Sequence, residues 1–180
     1  MELWVQDEGR IGLQPHTKRI WAKRGQRPVA VQQRGFQWFY VYVFVNPHSG
    51  QSDFLLLPTV SVALMQLALE SFVQQVNPHG DKMIVLMLDR AGWHTSGKLK
   101  LPPNLVLLPL PAYTPELSPA EPLVRKVKDP ISNQTLTHLH EVQHKVAGEC
   151  ARLRNCPEEL RSLCGFSWIR DICKRLYQSA

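Results

Sequence analysis

The sequence predicts an α/β fold: a mixed sheet, with an antiparallel three-strand meander joined to parallel strands, flanked by helices. Three observations carry this. The runs WFYVYVFV (38–45) and MIVLML (83–88) are unbroken apolar segments of strand length, as expected for strands buried on both faces. Between them the apolar period changes to three and four residues over 62–76, which marks one helix face. Helical patterning then dominates the last third of the chain, an order that suits a sheet with helices packed against it.

Taken in order, residues 2–7 read as a short strand, with Leu3 and Val5 alternating against polar neighbours and Gly9 and Gly12 ending it. A second short strand is expected over 19–22, before the turn RGQRP (24–28). The strand over 38–45 is followed by turn chemistry in NPHSG (46–50), and 52–57 returns as its neighbour. Val62, Met65, Leu69, Phe72, Val73 and Val76 form the helix stripe, and NPHGD ends that helix. Strands over 83–88 and 104–110 follow, then helices beginning near Ser118 and Thr135, and a helical C-terminal tail. With no repeats, low-complexity tracts or linkers, residues 1–180 read as one domain, with a core over 1–130 and a helical part over 131–180.

The 180 residues carry 21 Lys and Arg against 15 Asp and Glu, a net charge of +6, which points to an anionic partner, nucleic acid above all. The N-terminus has acids and no apolar core of a signal peptide, and no apolar run spans a bilayer. Cys150, Cys156, Cys164 and Cys173 form no C-x-x-C pair and read as reduced thiols of a cytoplasmic, nucleoid-associated protein.

Three acids occupy element ends. Asp7 lies on the first strand, Asp89 directly follows six apolar residues at a strand end, and Glu121 lies at the start of a helix. Sites of α/β sheets collect at such places. Converging carboxylates repel one another, and a pair of hard divalent cations removes that penalty. Glu121 also has a structural reading: in SPAE, Ser118 fits a helix N-cap and Glu121 the third helical position of a capping box. Glu116 is the next candidate for the third acid, as a residue of the approaching loop. Glu8, beside Asp7, is expected on the opposite face of its strand, solvated or paired.

The segments VQDEG, HTKRIWAKRGQRP (16–28), MLDRAGWHTS (87–96) and YTPELSPAE (113–121) occur in that order. Together, over roughly residues 1–130, they resemble the catalytic domain of mariner-type transposases of bacterial insertion sequences, in the DDE superfamily with its RNase H-like fold. The resemblance implies that Asp7, Asp89 and Glu121 are a catalytic and metal-binding triad for two Mg²⁺ or Mn²⁺ ions. It implies DNA cleavage by water, strand transfer by a DNA 3′-hydroxyl, and a homodimer in the synaptic complex. The sequence departs from the family pattern with Arg90 where Asn is usual, Val124 where Trp is usual, and Pro122 directly after Glu121; the triad itself is intact. The chain starts almost at the first strand, without the helix-turn-helix that recognises transposon ends, so a catalytic fragment, a split-frame product or a truncated copy is expected.

Basic residues accompany each acid. Arg19, Lys23 and Arg24 follow the first, Arg90 and Lys98 the second, and Lys128 the third; with His94 as a phosphate or carboxylate partner, they are the expected DNA-binding set. Trp21 and Trp93 suit base stacking or, more often for such residues, core and rim packing. Two further readings compete with an active transposase. One is an inactive DNA-binding relic of the same fold. The other is a zinc peptidase through HEVQH (140–144), with His140 and His144 as ligands and Glu141 as base. Helix phase opposes the second, because both histidines fall about 120° or more from the centre of the apolar stripe of Leu136, Leu139, Val142, Val146, Cys150 and Leu153.

Overall fold

The computed structural model describes residues 1–29, 34–112 and 114–178. Its centre is a five-stranded sheet in the order β3-β2-β1-β4-β5. The strands are β1 (Glu2–Gly12), β2 (Trp38–Val45), β3 (Ser52–Leu57), β4 (Ile84–Leu88) and β5 (Leu105–Pro109). β1 pairs antiparallel with β2 and parallel with β4; β2–β3 is antiparallel and β4–β5 parallel. The helices are α1 (Val62–Val76), α2 (Glu121–Lys126), α3 (Leu139–Arg154), α4 (Pro157–Cys164) and α5 (Ser167–Gln178). Single 3₁₀ turns lie at Pro115–Leu117 and Asp129–Ile131. The mixed sheet with helices is the architecture expected.

Alternation along the strands splits the core in two. Trp4, Tyr42, Phe44, Ile84, Leu86 and Leu88 point to one face and pack under α1. There Phe72 stacks on Phe44 at 4.3 Å and meets Trp4 edge-on at 5.0 Å. Val5, Val41, Val43, Val45 and Met87 point to the other face, which α2, α3, α4 and α5 cover. The strand ladder fixes Asp7 on the Val5 face, opposite Val43, and Glu8 on the Trp4 face, opposite Tyr42.

Several local expectations need correction. β1 runs through Gly9 and Gly12 instead of ending before them, because both residues keep their ladder partners in β2. Gly9 is needed there: a Cβ would lie 2.6 Å from Val124 Cγ1, so its absence lets α2 seat directly on the strand. No strand forms over 19–22. The segment has no ladder partner in the sheet, and Ile20 and Trp21 are exposed, so nothing rewards extension there. Trp21, at 102% exposure, is neither core nor rim.

The two C-terminal helix starts also move. α2 begins at Glu121, with Ala120 at its N-cap and no side-chain cap. Glu121 is therefore the first helical residue rather than the third, and the capping box does not form. Pro122 falls in the first turn, where no backbone donor is required of it. α3 starts at Leu139, four residues past the expected point. The four cysteines are free thiols, with Cys150, Cys164 and Cys173 buried.

Candidate active site

The middle of β1, the carboxyl ends of β4 and β5 and the start of α2 line one cleft of about 410 Å³. Its lining includes Gln6, Asp7, Asp89, Arg90, Ser118 and Glu121. Each acid arrives by a different route. Asp7 projects from the middle of β1. Asp89 is the first residue past β4, where the parallel ladder with β1 and β5 has ended. Glu121 is delivered by the turn at Ser118, whose carbonyl accepts from the Glu121 N–H at 3.2 Å, and by the seating of α2 on Gly9. Glu116 is exposed and does not line the cleft.

Each acid is anchored through one carboxylate oxygen. Asp7 Oδ1 accepts from the Glu8 N–H at 2.8 Å. Asp89 Oδ1 accepts from the Ala91 N–H at 2.9 Å and lies 2.7 Å from His94 Nδ1. Glu121 Oε1 accepts from Arg125 Nε at 3.1 Å, an exposed helical pair of small energetic weight. Among the described residues, the second oxygen of each acid has no hydrogen-bond partner.

The electrostatics of the cleft are strained. Burial, together with the charges of Glu8, Glu121 and Asp89, pushes the Asp7 carboxyl up to about 7, against a lowering contribution from the Glu8 N–H. Asp89 is held below the ordinary carboxylate range, chiefly by its hydrogen bond with His94. Burial alone would depress His94; its bonds with Asp89 and Glu8 outweigh that and lift it to about 9. Lys128, half-buried beside Asp7 and Glu121, is lowered by burial despite the attraction of both acids.

The donors are all carboxylate oxygens, the chemistry of Mg²⁺ and Mn²⁺ rather than of a nitrogen- and sulfur-bound zinc. A cluster in which one carboxyl is driven to about 7 by burial and, after that, by its acidic neighbours gains from a cation that neutralises them. Among the described residues, no three ligating side chains enclose a single ion, so the acids line the cleft as separate donors.

The basic residues divide into three groups. Arg19, Lys23 and Arg24 lie in an exposed segment and have no ion-pair partner among the described residues. Lys98 is likewise exposed. Arg90 lines the cleft with its Nε pinned to the Leu110 carbonyl at 3.0 Å, so its guanidinium is held at the rim. Lys128 stands between the acids and an adjoining groove of about 340 Å³, which Arg10, His16, Phe36 and Trp38 also line. His94 requires correction as a DNA-binding residue. Its side chain is 1% exposed, and both ring nitrogens face carboxylates, so the carboxylate half of the expectation is the one realised.

Residues 2–143 match the family described as DDE superfamily endonuclease. The chain belongs to that family. A curated relative, the uncharacterized protein y4pE/y4sA of Sinorhizobium fredii (strain NBRC 101917 / NGR234), is 37% identical over 92 residues, which cover 51% of this chain and 67% of the relative. Among solved structures, a pre-cleavage Mos1 transpososome superposes with a TM-score of 0.60 at 17% identity, covering 92% of this chain and 56% of the Mos1 chain. The mariner Mos1 paired-end complex with Mg gives 0.60 at 20% identity, covering 91% and 53%, and the complex with Mn gives 0.60 at 18%, covering 92% and 56%. These likenesses establish the RNase H-like fold. The chain spans little more than half the length of the Mos1 chains it matches.

Within this DDE fold, the sequence reading gave the face of Glu8 but not its partners, and it missed Gln6. Glu8 was expected on the opposite face, solvated or paired, and the paired alternative holds: its side chain, 6% exposed, bonds His94 Nε2 at 2.7 Å and Trp93 Nε1 at 3.2 Å. Only strand parity signalled its face, and nothing in the sequence named partners 85 and 86 positions away. Gln6 is buried and lines the cleft, and its side-chain amide has no partner; its sequence context carries no such signal. The HEVQH histidines are both exposed on α3, and the His140 ring stacks on that of His138 at 5.4 Å. The buried residues of α3 are Val142, Val146, Cys150 and Leu153, as helix phase requires.

Proposed function

We propose that this chain is the catalytic domain of a transposase, with Asp7, Asp89 and Glu121 as its metal-binding and catalytic triad. The substrates in this reading are transposon-end and target DNA, cut by water and joined through a DNA 3′-hydroxyl. The observation that carries it is the cleft itself: three acids from three elements, each anchored through one oxygen, with the other unengaged among the described residues. Two Mg²⁺ or Mn²⁺ ions held by these acids would supply Lewis-acid stabilisation to the attacking and leaving oxygens of an in-line phosphoryl transfer. That two-ion requirement, the homodimer of the synaptic complex and end recognition by a region outside these 180 residues belong to the same proposal.

The chain's own residues supply orientation and charge. Arg90, fixed through Leu110, is placed to take a phosphate oxygen at the cleft rim. Lys128 balances Asp7 and Glu121 from the side of the adjoining groove. Arg19, Lys23, Arg24 and Lys98 are solvated cations suited to holding the DNA backbone around the acids.

Asp89→Ala separates chemistry from binding. It removes a metal ligand and one charge that repels DNA. Mg²⁺-dependent nicking of labelled duplex should fall by roughly 10³-fold or more, while DNA affinity in EDTA stays at the parental level or rises slightly. The parent must nick in the same assay, with an end-recognition region supplied in trans. Parental nicking by Asp89→Ala overturns the triad. Parental DNA binding by a folded parent protein that does not nick in Mg²⁺ or Mn²⁺ favours the inactive relic.

A further inference from the structure

Behind the cleft, on the α1 face of the sheet, Asp89 is tied to a second carboxylate through a histidine. His94 Nδ1 lies 2.7 Å from Asp89 Oδ1, and His94 Nε2 lies 2.7 Å from Glu8 Oε1. Trp93 Nε1 donates to the same Glu8 oxygen at 3.2 Å. The His94 and Glu8 side chains are 1% and 6% exposed, whereas the Asp89 side chain is 61% exposed.

The three groups differ in what holds them. Glu8 sits on β1, the central strand, where it faces Tyr42 in the β1–β2 ladder and the strand is packed on both faces. Asp89 and His94 belong to the stretch between β4 and β5, which has turns but no helix or strand. A hydrogen bond at one imidazole nitrogen fixes the ring plane, and with it the direction of the other nitrogen. A buried carboxylate is also costly unless it is paired, so packing alone does not account for an acid at position 8.

We infer that Glu8 is a positioning residue: held on the rigid central strand, it fixes the His94 ring, which holds Asp89 Oδ1 and leaves the other oxygen for the cleft. The inference rests on reading Asp89 as a metal ligand. Asp7 and Glu8 then serve one centre from opposite faces of the same strand, the first as ligand and the second as support for another ligand.

The test is a double-substitution cycle read by Mn²⁺ binding to the full chain without DNA, with free Mn²⁺ followed by electron paramagnetic resonance. Circular dichroism and thermal melting establish that each variant is folded. Asp89→Asn should remove the Mn²⁺ site. Glu8→Ala and His94→Ala should each weaken Mn²⁺ binding about tenfold, and the double variant should be no weaker than either single one, because both act through the same bond to Asp89. Glu8→Gln keeps an acceptor oxygen for His94 and Trp93 and should stay within about threefold of the parent. If Glu8→Ala does not fold, Glu8→Asp, which withdraws the carboxylate by one methylene, takes its place in the cycle with the same expectation. Parental Mn²⁺ affinity in the Glu8 variant, with the site lost in Asp89→Asn, overturns the role of Glu8 and leaves the triad standing. Multiplicative losses in the double variant also overturn it, since the two residues would then act independently. Parental affinity in Asp89→Asn overturns the triad reading and this inference with it.

Discussion

β1 leads from one electrostatic extreme to another. At its middle, the Asp7 carboxyl is driven up to about 7 by burial in the cleft first and then by the charges of Glu8, Glu121 and Asp89. A few residues past its end, the chain carries Arg19, Lys23, Arg24 and Arg27 in full solvent, without ion-pair partners among the described residues. The Asp7 charge is geometrically fixed and weakly solvated, so it is coupled to folding and to any ion bound there. Charge in the exposed segment is screened by water and salt and coupled to neither. Substitutions in the cleft should therefore change stability and chemistry together, while those in the exposed segment should change only association with an anionic partner.

The largest joint effect on stability and chemistry is expected from Gly9→Leu. The new side chain would collide with Val124, whose Cγ1 stands 2.6 Å from the position of a Cβ. α2 must shift, at a cost of about 1–3 kcal/mol from overpacking. Glu121, the first residue of α2, moves with it. An ångström-scale displacement of a positioned group costs roughly 10²-fold in rate, so metal-dependent nicking should fall at least that far. Thermal denaturation and nicking measured side by side test the coupling; a stable, active Gly9→Leu protein would break it.

Asp7→Asn sharpens the same contrast without altering shape. The Asp7 carboxyl is raised from 3.8 to about 7 in the folded chain, so folding favours its protonated form. Its contribution to stability is thus fully present below about pH 4 and is lost as pH rises through about 7. In EDTA, the parent should lose stability over this range more steeply than Asp7→Asn. At pH 8 the variant should be the more stable by on the order of 2 kcal/mol, below the ceiling of the shift because Asp7 is only partly buried. Saturating Mg²⁺ should stabilise the parent more than the variant. Urea denaturation at pH 5 and pH 8, with and without Mg²⁺, measures all three differences; parallel pH profiles would remove Asp7 from the strained cluster.

Long-range electrostatics of this kind were only partly legible in the sequence. The apolar runs at 38–45 and 83–88 are buried strands because a continuous run can be satisfied only by cover on both faces. Asp89 stood out because it follows such a run, and Asp7 and Glu121 because the motif order placed them. Gly9 was misread as a strand end because its reason lies in Val124, more than a hundred positions away. The capping box at Ser118 was a sound local pattern overridden by the turn that delivers Glu121 to the cleft. Residues 19–22 have strand-like composition but join no ladder of the sheet, and Ile20 and Trp21 stay exposed. Glu8 and His94 were visible one at a time, yet their pairing depends on strand parity and on the path of the chain after β4 together.

Arg24→Ala should have the smallest effect, and it tests the other side of the comparison. Arg24 is exposed and has no ion pair among the described residues, so its removal leaves no buried partner unpaired. Stability should stay within about 0.5 kcal/mol of the parent, and Mn²⁺ binding without DNA should be unchanged. DNA affinity should weaken, and the slope of log affinity against log salt should become shallower by about one unit if Arg24 neutralises one phosphate. Competing DNA sequences should lose affinity alike, because a backbone contact carries no base information. A salt series on fluorescent duplex, with the parent and Asp7→Asn as references, separates the two regions. Asp7→Asn removes a negative charge from the cleft and should, if anything, tighten binding in EDTA without the loss of slope that marks a lost phosphate contact. An unchanged slope in Arg24→Ala would place the DNA path away from the exposed segment, and the cations of the cleft rim, Arg90 and Lys128, would then have to carry the backbone contacts.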